Sequence, residues 1–94
     1  MGRGDDMKYE YIKFEGKRYC NVYVDNTYTN GVLRCSHEIN VTFVAEDGEW
    51  KFNGAWHIGV EDSEWNANEE DNFEQTFPGL LADMRKGLVS CYTQ

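Results

Sequence analysis

The clearest alternation of apolar and polar residues runs from Ile39 to Val60. The dipeptide Asp47-Gly48 interrupts it and is typical of a two-residue type I′ turn, in which both central residues take positive φ. A hairpin closed by this turn brings every bulky apolar side chain onto one face. Because a slip of one residue would exchange the two faces, the turn and the alternation predict one register. The predicted pairs are Ala45–Trp50, Phe43–Phe52, Val41–Gly54 and Ile39–Trp56.

The other face of this hairpin suits water better. Its positions are Asn40, Thr42, Val44, Lys51, Asn53 and Ala55. Asn53-Gly54 is a second turn signal, but a turn there would place Phe52 opposite Ala55, so we expect a bulge or a bend instead. The alternation continues through Trp56, Ile58 and Val60 and predicts a long second strand.

A first hairpin is predicted around Glu15-Gly16-Lys17, between two β-rich segments at residues 8–14 and 18–24. A three-residue loop is favoured because it separates aliphatic from phenolic side chains. Ile12, Phe14, Cys20, Val22 and Val24 then share one face, and Tyr9, Tyr11, Tyr19 and Tyr23 share the other. A two-residue Glu15-Gly16 loop would instead pair Tyr11 with Cys20 and Tyr9 with Val22.

Between the two hairpins the pattern is weaker. Residues 25–30 are turn-rich, and Asn30-Gly31 indicates a chain reversal. Residues 32–35 are either a short strand or the approach to the central hairpin.

The last third of the chain has helical spacing. Asn68 is a candidate N-cap for a short helix whose first turn contains Glu69, Glu70 and Asp71, where the helix dipole favours negative charge. Phe73 and Phe77 lie four positions apart and are predicted to share one face of this helix.

After Pro78, apolar residues at i, i+1, i+4 and i+8 predict an amphipathic helix that docks on a sheet. These residues are Leu80, Leu81, Met84 and Leu88. Thr76 is a candidate cap, Gly87 is the predicted end of the helix, and residues 88–92 are a candidate final strand.

Together these elements predict an α+β fold: an antiparallel sheet of four to five strands built from two hairpins, with a helical C-terminal segment packed on one face. Residues 7–94 are expected to form a single domain. Residues 1–6 lack periodicity and are expected to be an unstructured extension or a remnant of an expression vector. The predicted core comprises Ile12, Val22, Ile39, Val41, Phe43, Phe52, Trp56, Ile58, Leu81, Met84 and Leu88.

Composition narrows the class of protein. The 94 residues are 40% hydrophobic and 15% aromatic, which is typical of a folded domain and not of a disordered chain. No apolar run approaches the ~20 residues of a membrane-spanning helix. The start of the sequence does not resemble a secretory signal, and the odd number of cysteines predicts reduced thiols in the cytoplasm.

The net charge of −8 comes entirely from the second half of the chain. Residues 1–45 contain six acidic and six basic residues, whereas residues 46–94 contain eleven acidic and three basic ones. No lysine or arginine lies between Lys51 and Arg85. Direct binding of nucleic acid is therefore not expected, because it requires basic side chains that neutralise phosphates.

The acidic stretch predicts a surface for a basic protein partner, since a field of one sign steers partners of the opposite sign. Trp65 supplies an aromatic anchor within it. The candidate partner-binding residues are Glu61, Asp62, Glu64, Trp65, Glu69, Glu70, Asp71 and Glu74. We accordingly expect a non-catalytic binding protein, by analogy with small acidic inhibitors that imitate nucleic acid. The alternative is a solvated acidic face that only keeps the protein soluble.

Two further functions stay open. Residues 62–68 carry oxygen side chains at alternate positions, as a calcium loop does, but Ala67 and Phe73 stand where an EF-hand requires Gly and Glu. A calcium-dependent module is one alternative, and a small enzyme or ligand-binding domain without a local motif is another. No nucleophile elbow or phosphate-binding glycine loop is present, so no catalytic residue, cofactor or metal is predicted.

The four tyrosines of the first hairpin form a second candidate surface. Tyr9, Tyr11, Tyr19 and Tyr23 either pack against the C-terminal helix or form a contact surface, for example between two copies in a homodimer. An unpaired edge strand in the same hairpin would permit such a contact by sheet extension.

Overall fold

The computed structural model describes residues 7–25, 27–29, 32–35, 38–57 and 69–89. It confirms the α+β class, with an antiparallel four-stranded sheet and two C-terminal helices. The elements are β1 (Lys8–Phe14), β2 (Lys17–Val24), β3 (Thr27–Thr29), β4 (Val32–Cys35), β5 (Ile39–Glu46), β6 (Glu49–His57), α1 (Glu70–Thr76) and α2 (Leu80–Lys86). Over the described ranges, no helix is both long enough and apolar enough to cross a bilayer.

The four strands of the two predicted hairpins lie in the order β1-β2-β5-β6, and β3 and β4 pair separately. Of the two alternatives for residues 32–35, the short strand is the one observed. The turn-rich reading of residues 25–30 is wrong for Thr27–Thr29, because these β-branched and aromatic residues pair with β4. The predicted reversal at Asn30-Gly31 lies outside the described residues.

Both hairpins of the large sheet close with two-residue turns. Asp47 and Gly48 have φ values of 54° and 77°, which confirms the predicted turn. Glu15 and Gly16 have φ values of 52° and 82°, and Phe14 pairs directly with Lys17. The favoured three-residue loop is therefore wrong, and the two-residue alternative is observed.

The register of the first hairpin decides which side chains are buried. Tyr9 pairs with Val22 and Tyr11 with Cys20, so both tyrosines share a face with buried residues. Ile12, predicted to lie in the core, is 39% exposed, and Phe14 is 59% exposed. The two tyrosines are partly buried, and their hydroxyl groups form hydrogen bonds with backbone groups of the C-terminal segment.

The central hairpin follows the predicted register only as far as the Phe43–Phe52 pair. Beyond it, Gly54 pairs with Thr42, so one extra residue stands in β6. This confirms the bulge or bend predicted at Asn53-Gly54. The extra residue inverts the alternation in the rest of the strand, and the predicted pairs Val41–Gly54 and Ile39–Trp56 are wrong.

Ala55 and Trp56 exchange faces because of this bulge. Ala55, predicted to face water, is fully buried and pairs with Val41. Trp56, predicted to lie in the core, is 40% exposed. Its indole lies over Gly54, where an added Cβ would stand 2.7 Å from Trp56 Cη2. Val44 is also buried, although its face was predicted to meet water.

The core lies between the large sheet and the two helices. Six predicted core residues are fully or almost fully buried: Val22, Ile39, Val41, Phe43, Leu81 and Met84. Phe52 and Leu88 are partly buried and pack against this cluster, which also contains Cys20, Phe73, Phe77 and Leu80. Ile58 lies outside the described residues.

Two helices cover the core side of the sheet. The ring of Phe73 lies 5.2 Å from that of Phe77 and 6.0 Å from that of Phe52, between centroids, which confirms the predicted shared face. The predicted end of α2 at Gly87 is also confirmed. Thr76 is not a cap of α2, because it closes α1 and its hydroxyl donates to the carbonyl of Asn72.

Gly79 occupies the cap position of α2 with a φ of 83°, which suits a residue without a side chain. Glu69 occupies the N-cap position of α1, but its side chain makes no capping hydrogen bond. The predicted cap Asn68 lies outside the described residues. Of the candidate final strand at residues 88–92, Leu88 and Val89 are described and are not in a strand.

Candidate functional site

The described part of the acidic candidate region lies on α1. Its cap residue Glu69 and the helix residues Glu70, Asp71 and Glu74 are all exposed, and we call these four residues the acidic helix surface. The other predicted partner-binding residues, Glu61, Asp62, Glu64 and Trp65, lie outside the described residues.

The sequence explains why α1 presents these acids to solvent. Phe73 and Phe77 are buried, so the apolar side of the helix faces the core and the charged side faces outward. Glu70 and Asp71 occupy the first turn, where the unpaired backbone N–H groups favour negative charge. The acidic residues can therefore face solvent without weakening the packing of α1 on the core or its favourable first-turn electrostatics.

Two members of the acidic helix surface have contacts within the molecule. Glu70 Oε2 accepts a hydrogen bond from Arg85 Nη1 at 3.1 Å, in an exposed ion pair. The backbone N–H of Gly79 donates to Glu74 Oε2 at 2.8 Å and helps fix the turn between the helices. Within the described residues, no side-chain contact of this kind joins Glu69 or Asp71 to another group. These two carboxylates are thus the most available for recognition.

Arg85 connects one member of the acidic helix surface, Glu70, to the core. Its guanidinium carbon lies 5.3 Å from the centroid of the buried Phe43 ring, in a cation–π contact. The same group pairs with Glu70, so one side chain links β5, α2 and α1. Arg85 thus adds one exposed contact between α1 and α2.

The four predicted surface tyrosines do not form one surface. Tyr9 and Tyr11 lie on the core face of β1, and Tyr19 and Tyr23 lie on the opposite face of β2. The hydroxyl of Tyr9 donates to the carbonyl oxygen of Met84 at 2.8 Å. The hydroxyl of Tyr11 accepts a hydrogen bond from the N–H of Val89 at 3.1 Å. Packing against the C-terminal helix, one of the two predicted roles, is therefore observed for Tyr9, whereas Tyr11 contacts Val89 beyond the end of α2.

The environment of these tyrosines changes their acidity. Burial raises the pKa of Tyr9 and of Tyr11 above the usual value for a phenol. Both phenols are consequently neutral at physiological pH, and Tyr9 can act as the donor that its contact with Met84 requires.

A row of polar side chains crosses the outer face of the sheet. Glu10 Oε1 accepts hydrogen bonds from Tyr23 and from Asn21, at 3.2 Å and 3.3 Å. Thr42 donates to Asn21 Oδ1 at 2.7 Å, which extends the row from β1 across β2 to β5. This row is not predicted by the sequence pattern, because its members are neighbours only in the observed register.

A groove of about 220 Å³ lies near the turn of the first hairpin. Its lining residues are Tyr11, Ile12, Lys13, Arg18, Tyr19 and Trp50. Lys13 pairs directly with Arg18 across β1 and β2. The groove is not predicted by the sequence pattern either, because a three-residue loop would not place these two basic residues opposite each other.

Cys20 is the one cysteine whose side chain the structure describes, and it is fully buried. Burial raises the pKa of its thiol to about 11. Such a thiol is protonated at neutral pH and is not activated as a nucleophile. No three His, Cys, Asp or Glu side chains converge as a metal site within the parts of the chain that the structure describes. The calcium-loop candidate at residues 62–68 lies outside those parts.

The acidic helix surface, the polar row and the basic groove are therefore the candidate recognition features of the described fold. Comparison of the chain with protein-family models, with curated proteins and with solved structures found no match.

Proposed function

We propose that the protein is a non-catalytic binding protein whose acidic helix surface engages a basic protein partner. The observation that carries the proposal is the exposure of all four carboxylates of this surface on a helix anchored by two buried phenylalanines. A partner can therefore approach the acids without unfolding the helix.

Charge explains how such a surface would act. The sequence from residue 52 to residue 84 contains acids and no lysine or arginine, so its field has one sign. Fields of this kind accelerate encounter with oppositely charged partners and are weakened by salt. Arg85 neutralises Glu70 only in part, because the ion pair is exposed to solvent.

The partner is a protein with a cluster of lysine or arginine side chains. The basic groove of a nucleic-acid-binding protein is one surface of this type, and occupying it would make the present protein an inhibitor that imitates nucleic acid. The cytoplasmic location predicted from the cysteine content is part of the same proposal.

Affinity capture from the source cell at low and high salt tests the proposal. The decisive variant is Glu69→Lys/Asp71→Lys, because it leaves the intramolecular contacts of Glu70 and Glu74 in place. Glu15→Lys/Glu49→Lys is a matched control, since both residues are exposed, lie in turns or strand ends, and produce the same change in net charge.

The proposal expects a partner that the unmodified protein and the control retain at low salt and that high salt releases. The Glu69→Lys/Asp71→Lys variant should lose it, and the purified partner should associate more slowly, most strongly at low ionic strength. Thermal melting of each variant checks that the fold is kept. Equal capture of the same partner by both variants, with the same salt dependence, would show that the acidic helix surface is only a solvated face.

A further inference from the structure

Strand β1 forms one edge of the large sheet. Among the described strands it has a neighbour on one side only, β2, and its other side presents a row of backbone N–H and C=O groups. The strand pairs with β2 in one unbroken register from Lys8 to Phe14. It contains no proline and no bulge, which are features that commonly block pairing at an edge. β1 is therefore able to pair with a further strand.

The edge formed by β6 is less suited to pairing. The register of β6 shifts at the bulge near Gly54, and a bulge bends a strand and increases its twist. The indole of Trp56 lies over Gly54, and α1 lies against the same strand. Natural sheets use such irregular edges to prevent association. Of the two edges, β1 is the one that can accept a regular partner strand.

Two large apolar side chains of β1 are exposed to solvent. Ile12 is 39% exposed and Phe14 is 59% exposed, and the alternation of the strand places both on the outer face of the sheet. They stand at the edge, where a strand added to β1 would cover them. Removing apolar surface from water is favourable, so such an addition would be stabilised by side chains as well as by backbone hydrogen bonds.

We propose that β1 pairs with β1 of a second copy of this chain, antiparallel and about a two-fold axis at Ile12. Most oligomers of identical chains are closed by a two-fold axis, and here it would join two four-stranded sheets into one. Ile12 then stands opposite Ile12 of the second copy, with Phe14 as a diagonal neighbour across the axis. This interface is separate from the acidic helix surface, because it uses β1 and not α1.

The turn of the first hairpin determines which backbone groups of β1 face outward. Phe14 and Lys17 flank the two-residue turn and form a hydrogen-bonded pair, and such pairs alternate with non-hydrogen-bonded pairs along the ladder. Tyr11 and Lys13 consequently direct their N–H and C=O groups to the free edge. With the axis at Ile12, Tyr11 of each copy stands opposite Lys13 of the other. These residues can then exchange both backbone hydrogen bonds.

Other positions of the axis are less favourable. An axis at Glu10 or at Lys13 would place identical charges directly opposite each other, which destabilises a sheet. An axis at Tyr11 would bring the two C-terminal segments together on the core face, because Val89 is bonded to the Tyr11 hydroxyl. An axis at Ile12 avoids both conflicts and places apolar side chains at the centre of the interface.

Charge favours a second copy as the occupant of this edge. The net charge of −8 comes from residues 46–94, whereas residues 1–45 contain equal numbers of acidic and basic residues. Two copies that pair through β1 therefore meet at the part of the chain whose charge is balanced. With the axis at Ile12, the start of β1 in one copy lies beside the hairpin turn of the other. The exposed Lys8 then lies next to the exposed Glu15 of the second copy at both ends of the interface.

Sedimentation equilibrium of the full chain tests the association. We expect the measured mass to rise with concentration from that of one chain to that of two. Ile12→Lys and Ile12→Glu each place like charges opposite each other at the axis, and each should weaken the dimer by at least about tenfold. An equimolar mixture of the two variants should restore the dimer, because a lysine then faces a glutamate. Restoration also shows that both variants are folded.

A cysteine variant locates the axis. Opposite Cα atoms in a non-hydrogen-bonded pair are about 4.5 Å apart, which is within the range of a disulfide. Ile12→Cys should therefore form a disulfide between two copies under mild oxidation. Lys8→Cys is the matched control, since Lys8 is exposed on the same face of the same strand but lies away from the axis, and it should form much less. Both variants keep the native cysteines, which contribute equally.

Several results would overturn the proposal. One is the mass of a single chain at every concentration up to about 1 mM. Another is a dimer that Ile12→Lys leaves unchanged, which would place the interface elsewhere. Equal cross-linking of the two cysteine variants would indicate random collision. Finally, hydrogen exchange could show the outward amides of Tyr11 and Lys13 protected only in a complex with another protein, which would assign the edge to a different occupant.

Discussion

The hydroxyl of Tyr9 donates a 2.8 Å hydrogen bond to the carbonyl oxygen of Met84, which joins the edge strand β1 to the last turn of α2. Gly87 leaves room for this contact, because a Cβ at that position would overlap the phenol of Tyr9. The bond gives a partly buried tyrosine a partner for the only polar group of its side chain. It thereby favours the register in which Tyr9, and not Ile12, faces the core.

Replacing Tyr9 with phenylalanine should lower the free energy of unfolding by about 1 kcal/mol, because it keeps the ring and removes the hydrogen bond to Met84. Tyr23→Phe is the matched control, since its hydroxyl donates to Glu10 on the exposed face. Urea unfolding of both variants measures the difference. An equal loss of unfolding free energy in the two variants would mean that the hydrogen bond to Met84 stabilises the fold no more than the exposed one to Glu10.

Replacing Gly54 with alanine should destabilise the protein by about 1–3 kcal/mol, since the residue has a φ of 151° and its new Cβ would meet the Trp56 ring. Gly16→Ala is the control for backbone strain alone, because Gly16 has a φ of 82° and open space around it. Removing the indole with Trp56→Ala should reduce the effect of Gly54→Ala. A double-mutant cycle measures this coupling, and additive effects would contradict the overlap.

Stability should fall with rising pH in the alkaline range. Burial raises the pKa of Cys20 from 9.0 to about 11, so between these values the folded state binds more protons than the unfolded state. The contribution of Cys20 is therefore complete below about pH 9 and is lost as the pH rises through about 11. The raised pKa values of Tyr9 and Tyr11 act in the same direction at higher pH.

Urea unfolding under reducing conditions measures this dependence, and Cys20→Ala is the variant to compare. The alanine variant should be less stable at neutral pH, because it loses a buried side chain, but its stability should decline less steeply above about pH 9. Parallel declines in the two proteins would assign the effect to other groups.

Arg85→Ala should destabilise the protein more than Glu70→Gln. The glutamine variant loses only an exposed ion pair, for which we expect about 0.5 kcal/mol or less. The alanine variant also loses the cation–π contact with Phe43, so we expect about 1–2 kcal/mol in total. Chemical unfolding compares the two, and a larger loss for Glu70→Gln would contradict this account of Arg85.

Much of the architecture follows from short-range patterns in the sequence. Asp47-Gly48 closes the central hairpin, the spacing of Leu80, Leu81 and Met84 defines the buried side of α2, and Phe73 and Phe77 anchor α1. Each signal depends on residues a few positions apart, because turn geometry and helical periodicity are local properties. The acidic character of α1 is also visible in the sequence, since charge is a property of composition.

The positions of individual side chains depend on contacts between distant parts of the chain. A strand has a period of two, so the extra residue near Asn53 exchanges Ala55 and Trp56 between faces without altering the local pattern that suggests a strand. The first hairpin has two plausible registers, and Tyr9 is held inward by a bond to Met84, 75 positions away. Lys13 and Arg18 are cross-strand partners only in the observed register, in which Tyr9 faces the core. The basic groove therefore exists only once the long-range contacts have formed, because they select between pairings that local alternation leaves nearly equivalent.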